Sequence, residues 1–239
     1  MNPQLVKQLV ALNQAFYSRF ANEFSETRSS AQMRLNRIVK YVSDGAAVLE
    51  VGCGNGRLAE RLDRDARPLT YVGVDAAREM VEIANARRAH LHFVRAEFRV
   101  ADITEPGWNR DLGHAPFDIV IALAVLHHIP SVELRQAVLR DIYAVLKPGG
   151  TFVMTNWQFM NNDRMRKKIE EWGTLGIDER ELETGDALLR WKRGGTAYRY
   201  CHWLSRSEVE ELAAQSGFQV VRQFFADADL NLYSVLKGL

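Results

Sequence analysis

Hydrophobic positions in the central part of the chain form short blocks of two kinds. Continuous apolar runs are typical of buried strands, and they occupy residues 46–52, 69–75, part of 91–103, 117–126 and 151–157. Amphipathic segments with helical spacing separate several of them, at residues 56–65, 77–89 and 131–146. Five strands that alternate with helices predict an α/β fold, in which a mostly parallel sheet carries helices on both faces.

The N-terminal region and a later segment have other patterns. Apolar residues recur at helical spacing over 3–42, apart from a polar break at 25–30, and we predict a helical cap over residues 1–45. Residues 158–200 are polar, charged and without a clear period, which predicts a lid-like insertion above the sheet.

Regular structure is expected to return after this insertion. A helix is predicted over residues 205–217, followed by strands at 218–226 and 231–238. Only the short segment DADL separates the two strands, so we expect them to pair as an antiparallel hairpin. We interpret residues 1–239 as one domain.

Composition narrows the class of protein without identifying it. With 239 residues and 47% hydrophobic side chains, the chain is long enough for one sizeable core. A net charge of +1 gives no strong overall field toward nucleic acid or membranes, and no apolar run reaches membrane-spanning length. Cys53 and Cys201 lie far apart and without metal-ligand neighbours. We therefore expect two free thiols in a reducing cytoplasm, no membrane segment and no metal.

A glycine-rich loop follows the first strand, in the sequence VLEVGCGNGRL at 48–58. Glycines stand at every second position, Gly52, Gly54 and Gly56, and Arg57 occupies the place where a dinucleotide-binding loop has its third glycine. The phosphate-loop pattern also fails, since no Gly-Lys-Ser/Thr sequence follows. The loop indicates a ligand that approaches the backbone closely without binding through phosphates; the alternative is a glycine-rich turn with no ligand.

Acidic residues end the next two strands. Asp75 is placed to accept hydrogen bonds from both hydroxyls of a ribose, or to cap the helix at 76–89, and the two roles are compatible. Asp102 ends the third strand, where a carboxylate can meet the amino group of a base. Glu97 is the competing candidate, because the register of this strand is open.

Several segments together carry a resemblance to a family. VLEVGCGNG, GVD, ADI, FDIVIALAVLHHI and LKPGG, in this order and spacing, resemble the class I S-adenosylmethionine-dependent methyltransferases over about residues 46–157. The resemblance implies a Rossmann-like seven-stranded sheet with an antiparallel last strand. It also implies that S-adenosylmethionine lies across the glycine loop, with its ribose on Asp75 and its adenine near Asp102, and leaves S-adenosylhomocysteine as product.

The resemblance further assigns a set of cofactor-binding residues. Glu50 helps position the methionine end, and Arg28 is a candidate for holding the cofactor's carboxylate. The complete predicted set is Tyr17, Arg28, Glu50, Gly52, Cys53, Gly54, Asn55, Gly56, Asp75, Ala76, Asp102, Ile103, Ala122 and Leu123.

The flanking segments resemble a narrower group. Residues 17–28 and 188–212 are similar to the tRNA wobble-uridine methyltransferases, which esterify a carboxymethyl group on the base. This implies a carboxylate acceptor, for which Arg199 is the first predicted counter-charge and Arg28 the second. Tyr200, His202 and His127 are predicted to shape its pocket, with His128 as the alternative to His127.

Other interpretations remain open at this stage. Basic residues at 164–168 and around Trp191 and Tyr198 favour a tRNA partner, because aromatic and basic side chains grip unpaired bases, but they also fit a solvated surface. A small carboxylic acid or other metabolite is an alternative acceptor, and a non-catalytic methyltransferase-like subunit is an alternative class. Relatives of the tRNA group work with a small zinc-binding activator, and the apolar segment at 91–94 is a candidate docking edge.

Overall fold

The structure, a computed structural model, describes residues 1–26 and 32–239. Seven strands form its central sheet: β1 (Ala47–Val51), β2 (Thr70–Asp75), β3 (Arg95–Val100), β4 (Phe117–Leu123), β5 (Leu146–Trp157), β9 (Phe218–Ala226) and β10 (Asn231–Gly238). Their order across the sheet is β3-β2-β1-β4-β5-β10-β9. The last strand, β10, runs antiparallel to both of its neighbours, whereas β1 to β5 pair in parallel. The predicted Rossmann-like α/β fold is confirmed.

Helices cover both faces of this sheet. They are α1 (Pro3–Arg19), α2 (Ala21–Glu26), α3 (Gln32–Val39), α4 (Arg57–Asp63), α5 (Arg78–Arg88), α6 (Val132–Val145), α7 (Asp163–Arg166) and α8 (Arg206–Ala214). Ser131 caps α6, since its side chain accepts a hydrogen bond from the Leu134 amide. The predicted break at 25–30 falls mostly on 27–31, which lie outside the described residues.

Two apolar layers hold the sheet between the helices. On one face Leu49, Val120 and Phe152 pack against Leu139 of α6, and all four are fully buried. On the other face Val48 and Ile121 belong to the layer that includes Leu62 of α4. Adjacent strand residues enter opposite layers because side chains alternate along a strand. The parallel strands are thereby buried on both sides, which explains their continuous apolar runs.

The segment at 158–200 differs from its prediction. It contains a second, antiparallel sheet of three strands, β6 (Ile169–Glu170), β7 (Asp186–Trp191) and β8 (Ala197–His202), in the order β6-β7-β8. The strands gave no alternating signal because three consecutive residues of β7 and four of β8 are buried, among them the polar Arg199 and His202. The lid role of this segment stays a prediction. In the described part of the chain, every helix is too short or too polar to cross a membrane.

Candidate active site

A cavity opens at the carboxyl ends of β1, β2 and β4, beneath α1. Its wall includes eleven of the residues predicted to bind the cofactor: Tyr17, Glu50, Gly52, Cys53, Gly54, Asn55, Asp75, Ala76, Asp102, Ile103 and Leu123. In open α/β sheets ligands bind at this edge, so the cavity stands where the fold favours a site.

Three other predicted residues do not belong to this wall. Gly56 lies behind it, where an added Cβ would approach Ala84 and Phe98 to 3.2 Å. Ala122 is fully buried in the core layer under α6. Arg28 lies outside the described residues.

The glycine loop shows two different reasons for its glycines. At Gly52 the backbone is left-handed, with φ +68°, and an added Cβ would lie 2.4 Å from a methyl group of Val125. At Gly54, with φ +52°, an added Cβ would meet no atom within 4 Å. Gly52 therefore permits close packing within the protein, whereas Gly54 leaves open space beside the backbone for a ligand.

Asp75 ties the loop to the start of α5. Its two carboxylate oxygens accept hydrogen bonds from the amides of Gly54, at 2.8 Å, and Ala77, at 2.9 Å. Burial raises the pKa of Asp75, the two amide bonds lower it, and the charge of Asp102 raises it further. A carboxylate oxygen accepts more than one hydrogen bond, so Asp75 retains acceptor capacity for two hydroxyl groups.

Of the two candidate acids, Asp102 lies two residues beyond the end of β3, in the cavity wall, whereas Glu97 lies on β3 and outside the wall. Asp102 accepts hydrogen bonds from the side chain of Gln14, at 2.5 Å, and from the amide and hydroxyl of Thr104, at 2.9 and 2.7 Å. Glu97 instead pairs with the two arginines that flank it on β3.

Glu50 is the most deeply buried acid of the wall. It is 3% exposed and accepts a hydrogen bond from the Tyr71 hydroxyl. Burial raises the pKa of Glu50 from 4.5 to about 8, against the lowering effect of Tyr71, and the charge of Asp75 adds to the increase. With Asp102 also in the wall, the cavity suits a cationic ligand, because a positive charge relieves the repulsion among these acids.

Helix α1 supplies a side of the cavity that the sequence did not indicate as a unit. Val10, Asn13, Gln14 and Tyr17 line it, at the i, i+3, i+4 and i+7 spacing of one helical face. Only Tyr17 was predicted. The spacing is visible in the sequence, but it is equally typical of a helix face that packs on a core.

The histidine pair after β4 divides into two roles. His128 lines the cavity, and its Nε2 lies 2.7 Å from the Tyr17 hydroxyl. His127, the predicted member, is fully buried outside the wall, where its Nδ1 accepts a bond from the Trp157 amide at 3.4 Å. The short 3-10 turn at Leu126–His128 directs the two rings differently. Of the two, only His128 lines the cavity, and the predicted role of His127 in an acceptor pocket stays a prediction.

Arg199 lies next to this cavity in an aromatic box. Its guanidinium carbon is 4.6 Å from the ring centre of Phe16, 5.0 Å from that of Trp157 and 5.5 Å from that of Trp191. The side chain is 3% exposed, and its Nε and Nη1 atoms have no hydrogen-bond partner among the described residues. Trp157 also packs against His128, with ring centres 5.4 Å apart, so the box adjoins the cavity wall.

Tyr200 and His202 lie in a polar network away from the cavity. The Tyr200 hydroxyl donates to Asp186 at 2.6 Å, and His202 lies 2.6 Å from Asp186 and 2.8 Å from Glu208. Burial lowers the pKa of His202, but the two carboxylates outweigh it and raise the pKa overall. Both side chains thus stabilise the packing around β8 outside the cavity wall, and their role in an acceptor pocket stays a prediction.

Comparison of the sequence with known proteins shows which family the chain belongs to. A methyltransferase domain model matches residues 42–199. The chain is 25% identical over 180 residues to tRNA (carboxymethyluridine(34)-5-O)-methyltransferase of Arabidopsis thaliana, covering 71% of this chain and 40% of that protein. It is 32% identical over 147 residues to fatty-acid O-methyltransferase of Mycolicibacterium smegmatis, covering 61% of this chain and 47% of that protein. The chain thus spans less than half the length of either relative.

A solved structure supports the fold. The methyltransferase of Haloferax volcanii, solved in complex with the Trm112 activator, superposes with a TM-score of 0.62 at 17% identity, covering 94% of this chain and 96% of that one. Because the family model covers most of the chain, including the glycine loop and Asp75, the protein belongs to the methyltransferase domain family and is a class I S-adenosylmethionine-dependent methyltransferase.

Proposed function

We propose that this enzyme methylates a carboxylate, and that the carboxylate belongs to a modified wobble uridine of tRNA. The buried guanidinium of Arg199 carries the proposal. Two of its nitrogen donors are buried without a hydrogen-bond partner among the described residues, and an unsatisfied buried donor costs about 1–3 kcal/mol or more when charged. An anion that enters the aromatic box removes this cost.

A carboxylate fits the box better than other anions of similar size. The planar guanidinium can hold both carboxylate oxygens in parallel hydrogen bonds. A carboxylate is already ionised at neutral pH, so the reaction needs alignment and no general base. The rings of Phe16, Trp157 and Trp191 exclude water around the pair and fix its plane.

In this proposal the cavity holds S-adenosylmethionine, which supplies a methyl group on a sulfonium for in-line displacement. Asp75 binds the ribose hydroxyls, Asp102 lies near the adenine, and Glu50 faces the positive charge of the methionine end. Arg57 also lines the cavity and is a candidate for the cofactor's carboxylate, in addition to Arg28. The open space beside Gly54 accommodates the cofactor against the backbone.

The names of two relatives support a carboxylate as the methyl acceptor, and they point to two different kinds of molecule that carry it. The name of the Arabidopsis protein specifies carboxymethyluridine in tRNA, and that of the Mycolicibacterium protein specifies a fatty acid. Both describe O-methylation of an acid. A small carboxylic acid is therefore the second candidate acceptor.

Unpaired basic residues favour the tRNA. Arg166 pairs with Asp163 and Arg190 with Glu170, whereas Arg164 and Lys168 have no acidic partner in the described part of the chain. Burial lowers the pKa of Lys168, and the charges of Arg164 and Arg199 lower it further. Phosphates of an RNA strand beside the modified base would neutralise this positive region.

The proposal includes a small activator protein as a possible partner. Strand β3 is an edge of the main sheet. Val94, which precedes it, and Val100, its last residue, are 75% and 44% exposed. An unpaired edge with exposed apolar residues is suited to strand addition, and the Haloferax neighbour was solved with such an activator.

The decisive experiment compares acceptors. Purified enzyme is incubated with labelled S-adenosylmethionine and either tRNA from cells lacking the gene or a series of fatty acids. We expect label in a wobble-uridine nucleoside, identified by mass spectrometry, and its loss in mild alkali as expected of an ester. Label in fatty acids alone supports the second candidate, and an alkali-stable product contradicts a carboxylate acceptor.

A further inference from the structure

Asn13 links three parts of the molecule through its carboxamide. It lies on α1, is 6% exposed and lines the cofactor cavity. Its Nδ2 donates to the carbonyl oxygens of His128, at 3.0 Å, and Tyr200, at 3.1 Å, and its Oδ1 accepts the Tyr200 amide at 2.9 Å. One side chain thus binds the turn after β4 and both backbone groups of a residue in β8.

The bonds from Asn13 lie on the edge of β8 that faces away from β7. Tyr200 pairs in register with Leu188 of β7, and a residue in an antiparallel strand directs its amide and carbonyl to the same side. Because Tyr200 gives both groups to Asn13, they face away from β7. The carboxamide therefore completes the outer edge of β8 as a further strand would, immediately next to Arg199.

His128 strengthens the same junction. Its Nδ1 lies 3.0 Å from the Tyr200 carbonyl oxygen, which only accepts, so the hydrogen-bond network places a proton on Nδ1. In the neutral ring Nε2 then accepts from the Tyr17 hydroxyl. Tyr17 is one helical turn from Asn13, so two neighbouring residues of α1 fix the same piece of backbone.

We propose that Asn13 is a positioning residue that couples the cofactor cavity to Arg199. Asn13, Tyr17 and His128 all line the cavity, so a cofactor bound there would contact the face of α1 that carries the first two. Restricting the motion of α1 restricts the backbone of Tyr200 through Asn13. It also restricts Phe16, one wall of the aromatic box around Arg199. Cofactor or product in the cavity thereby raises the affinity of the box for its anion.

The coupling itself does not require the identity of the acceptor, although its use in catalysis depends on the proposed function. Hydrogen exchange of the peptide spanning 197–202 is measured with and without S-adenosylhomocysteine. We expect the ligand to slow exchange about fivefold or more in the native protein, and to slow it clearly less in Asn13→Ala, which retains only the His128 bond to the Tyr200 carbonyl. Equal protection in both proteins, or none in the native protein, overturns the proposal.

A kinetic comparison uses a variant of the same size. Asn13→Asp keeps the acceptor for the Tyr200 amide but loses both donors. We expect its KM for the acceptor to rise about 5–150-fold, and cofactor affinity to change much less than that. Gln14→Ala is the matched control, because Gln14 lines the cavity and binds Asp102 rather than β8; it should weaken cofactor binding and retain the coupling.

Two outcomes separate the possible failures. If Asn13→Asp weakens cofactor and acceptor equally, or lowers only the melting temperature, Asn13 is merely structural and the coupling proposal is wrong. If the native protein shows ligand-dependent protection of 197–202 but methylates no carboxylate, the coupling stands and the proposed acceptor fails.

Discussion

The cofactor cavity and the aromatic box around Arg199 lie next to each other, but their residues come from different kinds of segments in the chain. Most cavity residues come from loops that directly follow strands of the main sheet, each within a short segment of the chain. The box joins Phe16 of α1, Trp157 of β5, Trp191 of β7 and Arg199 of β8. A cavity for a shared cofactor follows from local patterns, whereas the acceptor site arises only from tertiary packing of distant segments.

The largest expected effect tests the acceptor side of this comparison. Arg199→Met should remove about 2–5 kcal/mol of acceptor binding, because the anion would be buried without its partner. Arg199→Lys should restore only part of it, since an ammonium cannot reproduce the two parallel bonds. Cofactor affinity, measured by calorimetry, should stay within about threefold, as befits a residue outside the cavity wall.

Arg190→Lys is the matched control for this prediction. Arg190 lies on the adjacent strand and pairs with Glu170 at 2.5 Å, and an ion pair of this kind contributes about 1 kcal/mol or less. Its substitution should leave turnover nearly unchanged. A variant of Arg199 that loses the cofactor but retains the acceptor would reverse our assignment of the two sites.

The second prediction tests the cofactor side. Asp75→Ala should weaken binding of S-adenosylmethionine by about 1.5–3 kcal/mol for each lost bond to the carboxylate. The amides of Gly54 and Ala77 also lose their acceptor, so a lower melting temperature should accompany the loss. Calorimetry that gives unchanged affinity would mean that Asp75 only holds the loop.

The two sites differ in how far their residues could be predicted from the sequence. The positions of the parallel strands along the chain and the glycine loop could be predicted, because buried parallel strands leave continuous apolar runs and left-handed glycines leave a distinct pattern. His128 could not be separated from His127, since a 3-10 turn decides which ring meets the cavity. Asn13 carries no local signal, because its partners are backbone atoms more than a hundred residues away.

The strands of the second sheet escaped prediction for a related reason. Leu188 and Tyr200 are buried on the face toward α1, while Leu189 and Cys201 are buried on the opposite face. A strand covered on both faces has no alternation, and the charged Arg199 within it suggests a surface. Burial of that charge is possible because rings surround it, which no pattern along the chain reveals.

The third prediction concerns the positive region beside the box. The double variant Arg164→Gln, Lys168→Gln should raise the KM for tRNA several-fold and reduce its dependence on salt, by about 0.7 in log–log slope for each lost phosphate contact. Arg166→Gln should change the slope less, because Arg166 already pairs with Asp163. An unchanged slope in the double variant would favour a small carboxylic acid as the acceptor.

The smallest expected effect separates stability from binding within the cavity. Burial raises the pKa of Glu50 from 4.5 to about 8, so between these values the folded protein holds a proton that the unfolded chain has released. The free energy of unfolding contributed by this group is therefore retained below pH 4.5 and lost as pH rises through about 8. Glu50→Gln stays neutral and can still accept the Tyr71 bond, so it should melt higher than the native protein above pH 8, by about 2–4 °C for each kcal/mol gained.

The more stable Glu50→Gln variant should bind the cofactor more weakly. Glutamine offers no negative charge to the sulfonium and ammonium groups, so the variant should bind S-adenosylmethionine more weakly, and neutral analogues should be affected less. Glu97→Gln is a control whose effect on the melting temperature should have the opposite sign. The neighbouring arginines lower the pKa of Glu97 against the effect of its burial. Melting curves from pH 5 to pH 9 that run parallel for Glu50→Gln and the native protein would show that Glu50 is already ionised in the folded state. The cavity acid would then be a permanent counter-charge for the cofactor.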